Sequence, residues 1–128
     1  MKKILILEGS PRPNGNSCIL SNEFARGAEE AGNRVEKIRL SRKKLSGCLG
    51  CNACCRSGGA CVQKDDMEEI RAKMLEADVI VLASLRGFTC CVPDAREGGV
   101  VLGVGAMEAG DIRSSDAMQQ AWQMGKNV

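Results

Sequence analysis

At 128 residues and a net charge of +2, the chain has the length of one domain and lacks the strongly basic balance of a dedicated nucleic-acid binder. Hydrophobic residues make up 44% and charged residues 27%, the proportions of a globular chain, and no apolar stretch approaches membrane-spanning length. His and Tyr are absent and the aromatic residues are two Phe and one Trp, which excludes imidazole from metal ligation and general base catalysis and leaves few stacking partners for a planar ring.

Residues 2–7 (KKILIL) form a short apolar run, the pattern of a strand buried on both faces. Only four apolar residues separate Lys3 from Glu8, too few for the h-region of a signal peptide. The Gly, Pro and Asn residues of EGSPRPNGNS (8–17) mark a loop. Asn16 or Ser17 is placed to cap a helix beginning near Cys18, with Leu20, Phe24, Ala28 and Ala31 on one stripe and Gly32-Asn33 as its stop. A second strand is predicted over 34–40, with Val35, Ile38 and Leu40 as its apolar members. After a cysteine-rich loop, Asp65 or Asp66 caps a helix with Glu68 or Glu69 at the capping-box position and Met67, Ile70, Met74 and Ala77 inward. Residues 78–83 (DVIVLA) are a third buried strand.

This β-α-β-α-β order with short connections predicts a parallel, doubly wound α/β sheet with right-handed crossovers. Beyond Ser84 the pattern weakens. Residues 85–98 show no clear period, and 100–104 read as a final strand interrupted by glycines. Ser114 or Ser115 caps a last helix over 116–124, with Ala117, Met118, Ala121 and Trp122 inward and Gly125 at its end.

Two loops carry the chemistry, and both fall at the carboxyl ends of strands, where doubly wound sheets bind ligands. The 9–17 loop runs from a buried strand into a helix amino end, a ready anion site. Gly9 and Gly15 permit unusual backbone angles; Ser10, Asn14, Asn16 and Ser17 supply neutral donors, and Arg12 supplies charge. The loop lacks both the Lys-Ser/Thr ending of a nucleotide-triphosphate loop and G-x-G-x-x-G, and so suits a phosphate monoester. The alternative is an ordinary polar connector. Cys48, Cys51, Cys54 and Cys61 form a C-x2-C-x2-C-x6-C run. Three cysteines at successive x2 spacings match iron–sulfur loops better than the separated knuckles of zinc sites, and free or redox-active thiols are the third reading. Cys55 is too close to Cys54 to share its ligand role, and Cys18, Cys90 and Cys91 read as small buried apolar residues. Eight cysteines without an export signal suggest a reducing compartment, the cytoplasm.

GSPRPNGNS (9–17), CLGCNACCRSGGAC (48–61), DDM (65–67) and ADVIVLAS (77–84) together resemble the flavodoxin-like NADPH-dependent FMN reductases and iron–sulfur flavoproteins, and the tail GDIRSSDAMQQAWQMGKN resembles that family's last segment. The resemblance implies a flavodoxin-like fold, with Ser10, Arg12, Asn14, Asn16 and Ser17 on the FMN phosphate and Cys48, Cys51, Cys54 and Cys61 as ligands of a 4Fe–4S cluster. It implies an FMN-dependent NAD(P)H oxidoreductase or electron-transfer flavoprotein, served by a nicotinamide nucleotide or a small electron carrier. No catalytic side chain, nucleic acid or membrane enters this reading. In the family, the third strand leads into a Pro-x-Tyr-Phe type loop, a helix, a fourth strand and a further flavin loop. Here about twenty residues stand before the 110–112 tail, too few for a βαβ unit of roughly thirty. A shortened sheet of about four strands is therefore expected, in one domain over 1–128, with 1–84 and 99–128 as its family-like parts. A missing flavin wall and an exposed sheet edge point to homo-oligomerisation. The alternatives are a flavin-free iron–sulfur or zinc electron-carrier module, or an inactive truncated fragment.

Overall fold

The computed structural model describes residues 1–83, 98–103, 106 and 108–128. The first strand, β1 (Lys3–Glu8), is flanked on both sides by parallel partners, β2 (Arg34–Arg39) and β3 (Val79–Ala83), in the order β2-β1-β3. Ile4 faces Val35 on one side and Val79 on the other, and the register runs unbroken to Glu8, which faces Arg39 and Ala83. A continuous apolar run suits this central place because neither of its faces reaches water.

Alternate residues of β1 feed opposite layers. Ile4 and Ile6 pack with Phe24, Ala25 and Ala28 of α1 (Asn16–Glu30) and with Ala121 of α4 (Ala117–Lys126). Leu5 and Leu7 pack on the other face with Ile38 and with Ile70 of α3 (Met67–Glu76). A one-turn helix, α2 (Ala53–Arg56), lies within the cysteine loop. Among the described residues, this three-strand parallel sheet with helices on both faces is the doubly wound, flavodoxin-like architecture expected from the sequence.

Local details differ from the sequence reading. Helix α1 begins at Asn16, with extended Gly15 in the cap position and no side-chain cap, because Asn16 is used elsewhere. Gly9 and Gly15 have no positive φ. Leu40 leaves the second strand and opens a 3-10 turn, Leu40–Arg42. Glu69 makes no capping box; its carboxylate pairs with Lys43 at 2.6 Å and Lys73 at 3.1 Å. Met67 and Ala31 are exposed. Residues 100–103, the described part of the expected fourth strand, form no strand; Val101 packs on the α1 face in its place. Cys90, Cys91 and the 85–97 stretch lie outside the described residues.

Gly125 does not end the last helix. It lies inside α4, and a Cβ there would overlap the carbonyl oxygen of Phe24, while a Cβ on Gly27 would overlap the carbonyl of Trp122. The two helices thus meet backbone to backbone through reciprocal glycines. Trp122 is displaced to the rim, its indole donating to Glu30 Oε2 at 3.3 Å with Lys126 Nζ 4.8 Å from the ring centroid.

Gly27→Ala or Gly125→Ala forces α1 and α4 apart and is expected to lower unfolding stability by about 2–3 kcal/mol, the cost of overpacking. Gly47→Ala, which meets open space, is expected to change it by less than about 0.5 kcal/mol. Urea denaturation of the three variants checks this.

Candidate functional site

The parallel register brings the 9–15 loop and the loop after β2 to one edge of the sheet, with β3 ending beside them: the N–H of Gly9 donates to the Ala83 carbonyl at 3.1 Å. In the first loop, the Ser10 hydroxyl accepts from the Arg12 N–H at 3.3 Å and the Gly15 N–H donates to the Arg12 carbonyl at 3.2 Å, which folds the loop into a tight turn. The first bond inside α1 is donated by Ile19 to Gly15, so the helix amino end opens onto this turn. Arg12 and Asn14 are exposed, and among the described residues the Arg12 guanidinium has no ion-pair partner. Ser17 is half-buried in the first turn of α1. Asn16 is not turned to the loop: its amide bonds to the backbone of residues 106–112. Of the five residues expected on a phosphate, Ser10, Arg12, Asn14 and Ser17 lie in or beside the turn, where the Ser10 hydroxyl bonds to the Arg12 backbone, and the Asn16 amide is engaged with the carboxyl-terminal segment.

Beneath the loop sits a group that the sequence reading missed. Glu8 is buried, and its carboxylate accepts from the Ser21 hydroxyl at 2.6 Å and lies 3.8 Å from Lys37 Nζ and 3.5 Å from Arg39 Nε. The signal was present: a carboxylate ending a buried strand, and two cations at alternate positions on the strand beside it. Burial holds Lys37 below the usual lysine range, opposed by the Glu8 charge. Cys18, buried as expected, donates its thiol to the Arg12 carbonyl at 3.3 Å. Burial and the neighbouring Glu8 push that thiol up, so it stays protonated and acts as a strut of the turn. Two cations around one carboxylate leave the base of the loop net positive, which suits an anion above it.

The cysteine loop is tied at its base. Asp65 accepts from the Ser46 N–H at 2.8 Å and the Met67 N–H at 3.0 Å; Asp66 accepts from the Lys44 N–H at 2.7 Å. Asp66 therefore closes the loop and does not cap α3, and Asp65 takes the capping role. Left-handed backbone at Gly50, Asn52, Gly58 and Gly59 shapes the loop between. Cys48, Cys51, Cys54 and Cys61 are all exposed thiols, the right donor set in number and type for a cluster or zinc. Their placement does not fit one: among the described residues no three metal-ligating side chains are gathered. Cys54, Cys55 and Cys61 line a shallow concavity with Arg71. Phe24 is buried in the core, and Trp122 is held on the α1–α4 rim, so neither is a ring partner beside the first loop.

A model of NADPH-dependent FMN reductases matches residues 2–84, from β1 to the end of β3. The chain belongs to the NADPH-dependent FMN reductase family. An iron–sulfur flavoprotein of Methanocaldococcus jannaschii is 44% identical over 82 residues, 64% of this chain and 42% of that protein. One from Archaeoglobus fulgidus is 42% identical over 84 residues, 66% of this chain and 37% of that protein. The chain thus spans about two-fifths of these relatives' length. A crystal structure of RosB with a bound 8-demethyl-8-formylriboflavin-5'-phosphate intermediate superposes with a TM-score of 0.53 over 65% of this chain and 34% of RosB at 21% identity, a likeness of fold. The matched residues span both loops. Among the described residues no helix is long and apolar enough to cross a membrane.

Glu8→Gln keeps the Ser21 contact and removes the charge that offsets Lys37 and Arg39. It is expected to cost about 1–3 kcal/mol in urea unfolding, less than for a fully buried pair because Lys37 and Arg39 keep part of their surface in water. A loss below about 1 kcal/mol would mean that water already serves both cations. The backbone N–H groups of Ser46 and Met67 hold the Asp65 carboxyl below its usual range. A lowered folded pKa places this clasp's contribution fully above the ordinary carboxylate range, and it is lost as pH falls through the lower folded value. Protection of the Ser46 amide, taken relative to its intrinsic exchange rate at each pH, is therefore expected to persist at neutral pH and to fall only in that acid window, with Asp65→Asn unprotected throughout.

Proposed function

We propose that the chain binds FMN through its phosphate at the 9–17 loop and serves as a flavin-dependent oxidoreductase or electron-transfer protein. The observation that carries this reading is the tight Ser10–Arg12–Gly15 turn opening onto the amino end of α1, with a partner-free guanidinium among the described residues and a net positive base. When bound, the flavin supplies two-electron and one-electron redox chemistry. The protein's own part is to hold: Arg12 pairs with the phosphate, Ser10, Asn14 and Ser17 complete its donors, and Cys18 and Glu8 brace the turn from below. The electron donor is a nicotinamide nucleotide or a small electron carrier. Residues 1–128 act as one domain, in a homo-oligomer that shields the β3 edge, within a reducing cytoplasm that keeps the exposed thiols free.

The test is quenching of FMN fluorescence on titration with the purified chain, with riboflavin in parallel. Arg12→Ala is expected to weaken FMN roughly tenfold, the worth of one charge-assisted contact, and to leave riboflavin unchanged. No binding of FMN by the native chain, or an equal loss for both flavins, rejects the reading.

A second proposal rests on the four exposed thiols of one tied loop together with the iron–sulfur relatives. Cys48, Cys51, Cys54 and Cys61 take up a 4Fe–4S cluster once the loop draws them closer than they stand here. Anaerobic reconstitution with iron and sulfide is expected to give about four irons per chain and a broad visible absorption lost in Cys51→Ser. Uptake of zinc alone, or no metal, overturns it.

A further inference from the structure

Asn16 joins the cofactor loop to a part of the chain that lies beyond the family match. A side-chain amide has two donor hydrogens and two acceptor lone pairs. All four are spent on one segment. Nδ2 donates to the carbonyls of Glu108 at 3.0 Å and Ala106 at 3.4 Å, and Oδ1 accepts from the N–H groups of Gly110 at 2.9 Å and Ile112 at 3.4 Å. The segment is shaped to receive it. Gly110 has φ +103°, a conformation that favours glycine. The Glu108 N–H donates to Asp111 Oδ2 at 2.8 Å, and Ile112 is fully buried against Ile19 and Ala117.

A phosphate oxygen needs donors, and both Asn16 donors already serve backbone carbonyls. We infer that Asn16 is a positioning residue: it holds the 108–114 turn against the amino end of α1 and makes that turn a wall of the cofactor site. The latch stands on the hydrogen bonds alone, while the flavin that the wall faces rests on the FMN reading above.

The test is amide hydrogen exchange on the full chain without flavin, followed by FMN and riboflavin titrations. Asn16→Asp sets carboxylate oxygens against two carbonyls and is expected to speed exchange at Gly110 and Ile112 about tenfold, one or two hydrogen bonds' worth. Amides of residues 24–28 in α1 stay protected as the control for folding. Gly110→Ala strains the turn from the other side and is expected to loosen the same amides with Asn16 intact; it decides the matter if Asn16→Asp unfolds. FMN and riboflavin weaken together in Gly110→Ala, because a wall is not specific for phosphate, whereas the added charge of Asn16→Asp weighs on FMN in any case and that variant is read by exchange alone. Unchanged exchange in both variants overturns the latch, and unchanged binding of both flavins in Gly110→Ala overturns the wall. Failure of the native chain to bind either flavin rejects the FMN reading and leaves the exchange result to decide the latch.

Discussion

Everything at the ligand edge depends on β1 being parallel to both neighbours at once. Its backbone is paired on two sides and its side chains are buried on two faces, so no part of it can shift without uncovering Ile4, Ile6 or Leu7. A one-residue slip would exchange the α1 face for the α3 face and drive Glu8 away from Lys37 and Arg39. The position where the strand stops is therefore fixed, and with it the start of the 9–15 turn.

The sheet was legible because its signal is a run of apolar residues, and burial on both faces leaves little freedom in such a run. The order of elements, their parallel sense and the common edge of the two loops followed from it. Contacts between parts distant in sequence were not legible in the same way. Gly125 reads locally as a helix stop, yet it is the residue that lets α4 touch α1. Asp66 reads as a cap, yet its carboxylate reaches back to Lys44. Asn16 has the composition of a phosphate ligand, and only the packing of a segment some ninety residues later shows how its amide is spent. In each case the local pattern admits two uses of the same side chain, and tertiary contact chooses one.

The site itself is built from opposed charges at short range. A carboxylate beneath an anion site would repel the ligand if it stood alone. Pairing with Lys37 and Arg39 reverses the sign of the base, and the Ser21 hydroxyl fixes the carboxylate's orientation. The cost is a buried Arg39 Nε with no hydrogen-bond partner among the described residues, only an ion pair. The cysteine side is built differently, with its thiols exposed and its loop held by backbone bonds to Asp65 and Asp66.

The clasp made by Asp65 and Asp66 bears on the freedom of the cysteine loop between its ends. A loop with its ends already joined has lost most of the chain entropy that an open segment would surrender on closing around an ion. Its thiols confront one another at an effective concentration set by a short tether. Any approach of one thiol to another is thus a local search within the loop, governed by the tether and not by diffusion through bulk solvent.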